Sequence, residues 1–309
     1  MRTQIECVVD KGNLCGEGPI WDFRRERLVW NDQASNLVLE HDPATQETSV
    51  ISRDLMVAAI AMNGENGFVF AGATGLHTWQ AGSTPNLLCA EHDGNALVFN
   101  DILAAPNGGL FGNTMYWGER EMEKSGFLYY FAPDGKTRVL DGGFELANGM
   151  GLSPDKQHLY LADSARRLIY VYDVRANFTV SNRRVFAEIS SEEGLPDGLT
   201  VDAEGFVWSA QWYGSQVVRY DSDGKVERRI PIPAKQVSSL QFGGAELSDL
   251  YITTARESWP SALMPAGYDA VNGNFGGALY RVRTDIMGRR ENVCALSAPK
   301  VLAEGAEGN

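Results

Sequence analysis

The chain alternates short apolar runs with polar breaks, and the runs come in repeating pairs. The first of each pair ends on, or is centred on, an aromatic: "RLVW" to Trp30, "GFVF" to Phe70, "GGLF" to Phe111, "HLYL" around Tyr160, "GFVW" to Trp208 and "DLYI" around Tyr251. A second run rich in Leu, Val and Tyr follows, in order "NLVLEHD", "GLHTWQ", "GFLYYFAPDG", "RLIYVYDV", "QVVRYDSDG" and "GALYRVRT". Apolar runs of about four to eight residues bounded by Gly, Pro, Asn and Asp read as strands. "PDG" at 133–135 and "SDG" at 222–224 stand where hairpins close. An α/β chain needs amphipathic helices between its strands, and almost none are found.

The aromatic anchors lie 40, 41, 49, 48 and 43 residues apart. A four-stranded propeller blade takes roughly 40–50 residues. Six such units predict an all-β chain, a six-bladed β-propeller forming a single domain over 1–309. The least regular connection is 254–277, "TARESWPSALMPAGYDAVNGNFGG". It is long enough to lie as a loop beside the channel mouth, and whether it forms a lid stays open.

In a propeller the innermost strand of each blade runs beside the axis, so the residue just before it faces the channel. Glu17 lies 13 residues before Trp30, Asn100 11 before Phe111, Asn148 12 before Tyr160 and Asp197 11 before Trp208. Counting back 12 gives Ala58 and Ser239 in the other two units. Taken singly, Asn148-Gly149 and Asp197-Gly198 read as hairpin turns, and Glu17 as a solvated acid. Their shared register predicts instead that two carboxylates and two amides converge at one mouth. Two carboxylates in a partly desolvated pit repel unless a cation neutralises them. The pattern therefore predicts a divalent cation in the central channel. Oxygen donors without His or Cys suit Ca²⁺, Mg²⁺ or Mn²⁺ ahead of a structural zinc.

Composition narrows the classes. With 309 residues and 44% hydrophobic content the chain can bury a large core, and 33 glycines fit many tight turns. A net charge of −13 with no Lys/Arg cluster argues against a nucleic-acid partner. Cys7, Cys15, Cys89 and Cys294 are scattered, without a Cys-x-x-Cys pair, which suits a reduced compartment. With no apolar leader and no long apolar stretch, the expectation is a soluble, cytoplasmic protein with no membrane partner. Its oligomeric state is left open. The chemistry of other classes is missing: "GLSPD" sets Ser153 between Leu and Pro rather than in G-x-S-x-G, and His41, His77, His92 and His158 lack metal-ligand spacing.

At these residues the chain resembles the senescence marker protein/gluconolactonase/regucalcin family of lactonases. The resemblance rests on "CGEGPIWD" (15–22), "FND" (99–101), "FGNTM" (111–115), "ANGMGLSPD" (147–155), "LYLADS" (159–164), "PDGLTVDAEGFVW" (196–208) and "FGGAELSDLYITTA" (242–255). It implies a six-bladed propeller of carbohydrate metabolism that hydrolyses a small-molecule lactone with one divalent cation, drawn from Ca²⁺, Mg²⁺, Mn²⁺, Zn²⁺ or Fe²⁺. Carried over by position, Glu17, Asn148 and Asp197 are the implied metal ligands. Asp197 is also the implied catalytic proton acceptor, and Asn100 contacts substrate.

Where the family has an Arg two positions before that Asn, this chain has Val98, which has no donor fork for sugar hydroxyls. Tyr116 and Trp117, after the "NTM" block, are expected to add bulk to the pocket. The substrate expectation is an aldonolactone or a less hydroxylated relative. Asp101 is expected to cap a turn; Asp163 reads equally as a support for the site or as a strand-end acid. Two alternatives stand beside the lactonase: a metal-dependent phosphotriesterase or esterase on the same fold, and a non-catalytic calcium-binding regulatory propeller.

Overall fold

The computed structural model describes residues 4–117 and 122–297. Among them, six four-stranded antiparallel sheets form the blades, with two short two-stranded pairs besides. Blades 1 to 5 take their strands in chain order and open with Gly16–Asp22, Val57–Asn63, Phe99–Ala104, Ala147–Leu152 and Leu195–Val201. Blade 6 opens with Val237–Gly243 and is completed by the other end of the chain. There Ile5–Asp10 pairs antiparallel with Ala278–Arg283 as the outermost strand. Each opening strand packs against those of the two neighbouring blades, which closes the ring around the axis.

The aromatic anchors fall on the second strand of every blade and their Leu, Val and Tyr partners on the third. Second strands such as Gly67–Gly72 and Val207–Trp212 are buried along their whole length between neighbouring blades. That is why they read as continuous apolar runs. Trp208 of blade 5 meets Phe242 of blade 6 edge-on at 5.6 Å, within a cluster that also holds Leu250 and Ile252. Trp30 and Trp208 are fully buried, and truncating either to Ala costs about 3–5 kcal/mol.

Every opening strand has a register shift near its start. It falls between Glu17 and Ile20, Val57 and Ala59, Phe99 and Asp101, Ala147 and Met150, Pro196 and Leu199, and Val237 and Ser239. The residues at the axis therefore lie inside the strand rather than before it: at the bulge in blades 3, 4 and 5, and just ahead of it in blade 1, where Glu17 still pairs with Asn31. A bulge leaves its extra residue unpaired and re-aims its side chain. In blade 6 the bulged residue is Ser238, one earlier than simple counting indicates.

The bulges also change the meaning of Asn148-Gly149 and Asp197-Gly198, which are not hairpin turns. Neither glycine has a positive φ. A Cβ on Gly149 would lie 2.3 Å from the Leu199 nitrogen, and one on Gly198 2.2 Å from Ser239 Oγ. These glycines let adjacent opening strands approach closely around the axis.

At the opposite end of the channel, residues 286–297 cross from blade to blade. Met287 accepts from the Ala203 N–H of blade 5, while Cys294 and Ala295 donate to Met62 and Gly108 of blades 2 and 3. The four cysteines are free thiols. Among the described residues no helix is long and apolar enough to cross a membrane.

Candidate active site

A cavity of about 400 Å³ opens on the axis at the end where the innermost strands begin. Glu17, Asn100, Asn148 and Asp197, from blades 1, 3, 4 and 5, all line it. No Lys, Arg or His is among its described lining residues.

Two buried acids hold the approaches to two of these side chains. Asp32 ends the second strand of blade 1 and accepts from the N–H groups of Leu14 (3.0 Å) and Cys15 (2.9 Å). Asp163 does the same in blade 4, accepting from Glu145 (3.1 Å) and Leu146 (3.0 Å). Each grip ends two residues before Glu17 or Asn148 and so fixes where the chain enters its bulge. The signal was present in the sequence: Asp32 and Asp163 each lie 15 residues after the side chain they support. Asp163 is thus a structural support, and Asp32 is its unforeseen counterpart.

Asn148 is tied from both sides. Its carbonyl accepts from Asn113 Nδ2 at 2.6 Å, and its own Nδ2 donates to Ser164 Oγ at 3.2 Å. Ser164 in turn donates to the Pro196 carbonyl at 2.6 Å, next to Asp197. The Asn148 amide also hydrogen-bonds the Asp197 carboxylate. With its N–H groups so engaged, Asn148 has Oδ1 left to offer a ligand. Asn100 Nδ2 donates to the Ala147 carbonyl at 2.9 Å, which ties blade 3 to blade 4 and leaves one amide proton and Oδ1 for the cavity.

The acids of this site are strongly perturbed. Burial, then the nearby Asp197 charge, pushes Glu17 well above the usual carboxylate range, against one N–H bond from Gly18. Burial also raises Asp197, opposed by hydrogen bonds from Asn148 and Gly198 and reinforced by Asp101. Asp101 does not cap a turn. It lies in an innermost strand, accepts from Met150 at 2.9 Å and Ile102 at 2.8 Å, and is raised by burial to about 7.

The upper wall is apolar. Trp212 and Trp259 stack with ring centroids 5.8 Å apart, and Leu195, Leu263 and Met115 flank them. Of the expected substrate contacts, Asn100 lines the cavity, whereas Val98 and Tyr116 do not. Val98 contributes a carbonyl that accepts from the Met115 N–H. Tyr116 is buried and turns its hydroxyl to the Ala96 carbonyl at 2.6 Å. Its ring is occupied by packing rather than presented to the pocket. The side chain of Trp117 lies outside the described residues.

A family model described as the SMP-30/Gluconolactonase/LRE-like region matches residues 15–256. A pentonolactonase of Haloferax volcanii is 34% identical over 297 residues, covering 92% of this chain and 96% of that protein. A 6-deoxy-6-sulfogluconolactonase of Pseudomonas putida is 28% identical over 84% of this chain and 89% of its own length. The crystal structure of a calcium-binding protein, regucalcin, from Agrobacterium tumefaciens superposes with a TM-score of 0.83 at 25% identity, over 94% of this chain and 97% of that one. Fold, axial cavity and relatives together define a six-bladed propeller enzyme of the lactonase type. The chain belongs to the SMP-30/gluconolactonase/LRE-like family.

Proposed function

We propose that the protein hydrolyses a lactone, aldonolactone-type or less hydroxylated, to its hydroxy acid, with a divalent cation held by Glu17, Asn148 and Asp197. The observation that carries this reading is the convergence of those three side chains and Asn100 in one cavity without a basic residue. The donor set fits a hard cation. The carboxylates of Glu17 and Asp197 line one cavity with the Asn148 amide, and their charge has no Lys, Arg or His neighbour among the described lining residues. Ca²⁺, Mg²⁺ and Mn²⁺ suit such oxygens best. When bound, the cation would supply Lewis-acid polarisation of the ester carbonyl and a lower pKa for a coordinated water.

The protein's own groups do the rest. Asp197, one of the two carboxylates that line the cavity, takes the proton of the attacking water. Asn100 orients the ring through its remaining N–H and Oδ1. The stacked Trp212 and Trp259 shield one side of the cavity from bulk water.

The test is proton release in weak buffer from a panel of lactones, with a simple ester and a phosphotriester as controls. Metal-loaded protein should open a lactone, and chelation should abolish turnover. Asp197→Ala should lower kcat/KM by about 10³-fold. Tight cation binding with no turnover would favour the calcium-binding reading, and faster phosphotriester cleavage the esterase reading.

A further inference from the structure

Among the described lining residues, the side chains that close the catalytic cavity above the acids have little capacity for sugar hydroxyls. Ser164 donates to the Pro196 carbonyl and accepts from Asn148, so its hydroxyl is already engaged. Ser261 Oγ accepts from the Leu263 N–H at 3.2 Å and lies 3.3 Å from the Tyr213 hydroxyl. Beyond the acids and Asn148, Gln33 and Asn100 offer free amide groups, while the Tyr213 and Ser261 hydroxyls, already in hydrogen bonds, keep acceptor capacity only. A ring with several hydroxyls would leave some of them buried without partners, and each such group is penalised.

The aromatic part of the same lining has a different composition. Trp212 lies 15 residues after Asp197, the place that Asp32 and Asp163 occupy relative to Glu17 and Asn148. In blade 5 an aromatic thus replaces the acid of blades 1 and 4. Trp212 is buried, and Trp259 stacks on it at an interplanar angle of 24° while remaining 41% exposed. The segment carrying Trp259 is firmly held. The Tyr213 hydroxyl donates to the Trp259 carbonyl, Gln236 Nε2 to the Glu257 carbonyl at 2.6 Å and Arg167 to the Leu263 carbonyl at 2.6 Å. A large, rigid aromatic face fixed at a cavity mouth loses little entropy when it binds a flat apolar surface.

We propose that Trp259, backed by Trp212, is the specificity-determining platform of this site, and that it selects neutral lactones with an alkyl or deoxy face over polyhydroxylated or anionic ones. This rests on the lactonase reading and assigns its substrate class. The ring's C–H face lies against Trp259 while its ester points down toward Asp197. Two carboxylates below and no basic residue among the described lining side chains disfavour a sulfonate or carboxylate substituent. Specificity is set by blade 5 and the 255–277 connection, not by Val98 and Tyr116 of the third unit.

The test compares kcat/KM for an alkyl-substituted γ-lactone and a pentono-γ-lactone on wild type, Trp259→Ala and Trp259→Phe, each metal-loaded. Trp259 is half-exposed and outside the catalytic set, so its variants should fold. Wild type should favour the alkyl lactone by about tenfold or more. Trp259→Ala should lose most of that preference through the alkyl substrate, and Trp259→Phe should keep much of it. Calorimetric binding of the matching alkyl γ-lactam gives a readout that needs no turnover, and Trp259→Ala should weaken it about tenfold. A preference for the pentonolactone in wild type, or equal losses on both substrates, overturns the proposal. If no lactone turns over but the lactam binds in a Trp259-dependent way, the platform stands and the lactonase reading falls.

Discussion

The Ser164 hydroxyl accepts from Asn148 Nδ2 at 3.2 Å and donates its own hydrogen bond to the Pro196 carbonyl at 2.6 Å, one residue before Asp197. One small side chain thus couples the amide of blade 4 to the acid of blade 5. It also decides which end of the Asn148 amide faces the cavity. Groups that orient a ligand in this way commonly account for a large share of metal affinity.

Ser164→Ala should therefore weaken Ca²⁺ or Mn²⁺ binding by about 10–100-fold while the fold is retained. The Pro196 carbonyl also loses its donor, which costs about 1–3 kcal/mol. Isothermal titration with the cation, beside urea denaturation of the chelated protein, separates the two effects. Unchanged cation affinity would remove Ser164 from the site.

Burial raises Glu17, Asp197 and Asp101, the last to about 7. A carboxyl raised on folding binds its proton more tightly in the folded chain, so folding favours the protonated form. Its stability contribution is complete below the unfolded value of about 4 and is lost as pH rises through the folded value. Metal-free protein should accordingly melt several degrees lower at pH 8 than at pH 5, at about 1.5 °C for each kcal/mol in a chain of 309 residues. Saturating cation should remove the difference, and Asp197→Asn should reduce it. A melting temperature that rises over this window would contradict the buried-acid account.

Asp163 uses both carboxylate oxygens on backbone N–H groups, as Asp32 does. An Asn substitution would put an NH₂ against one of those donors. Asp163→Asn should thus destabilise by about 1–3 kcal/mol, close to the effect of Asp163→Ala. Asp223→Asn, at an exposed turn, should stay within about 0.5 kcal/mol. Chemical denaturation of the three variants distinguishes a gripping acid from an ordinary strand-end acid.

Much of the fold was legible because the second strand of each blade is buried on both faces. Runs such as "GFVF" and "GFVW" therefore carry apolar residues without interruption, and their spacing reports the blade length. Glu17, Asn100, Asn148 and Asp197 were legible for a related reason: each keeps a near-constant offset from its anchor. The bulges that aim them were not. Gly18-Pro19, Ala58, Asn100, Asn148-Gly149, Asp197-Gly198 and Ser238 have no residue type common to all six, because a bulge is a property of pairing with the next strand. The position of Tyr116 away from the cavity lining was not legible either. An aromatic beside a site block fits a pocket wall and a packed strand equally well, and here the Ala96 carbonyl claims its hydroxyl.

By itself the sequence determined how many blades form and which polar side chains recur at the start of each innermost strand, since both follow from local periodicity. Only the closed ring decided which of those side chains meet. Glu17, Asn148 and Asp197 are far apart in the chain, and their convergence depends on every blade packing on its neighbour and on Ile5–Asp10 completing the sixth. The aromatic part of the lining is also a tertiary product: Trp259 reaches Trp212 because Tyr213, Gln236 and Arg167 pin an irregular segment at the cavity, and no repeat announces such contacts.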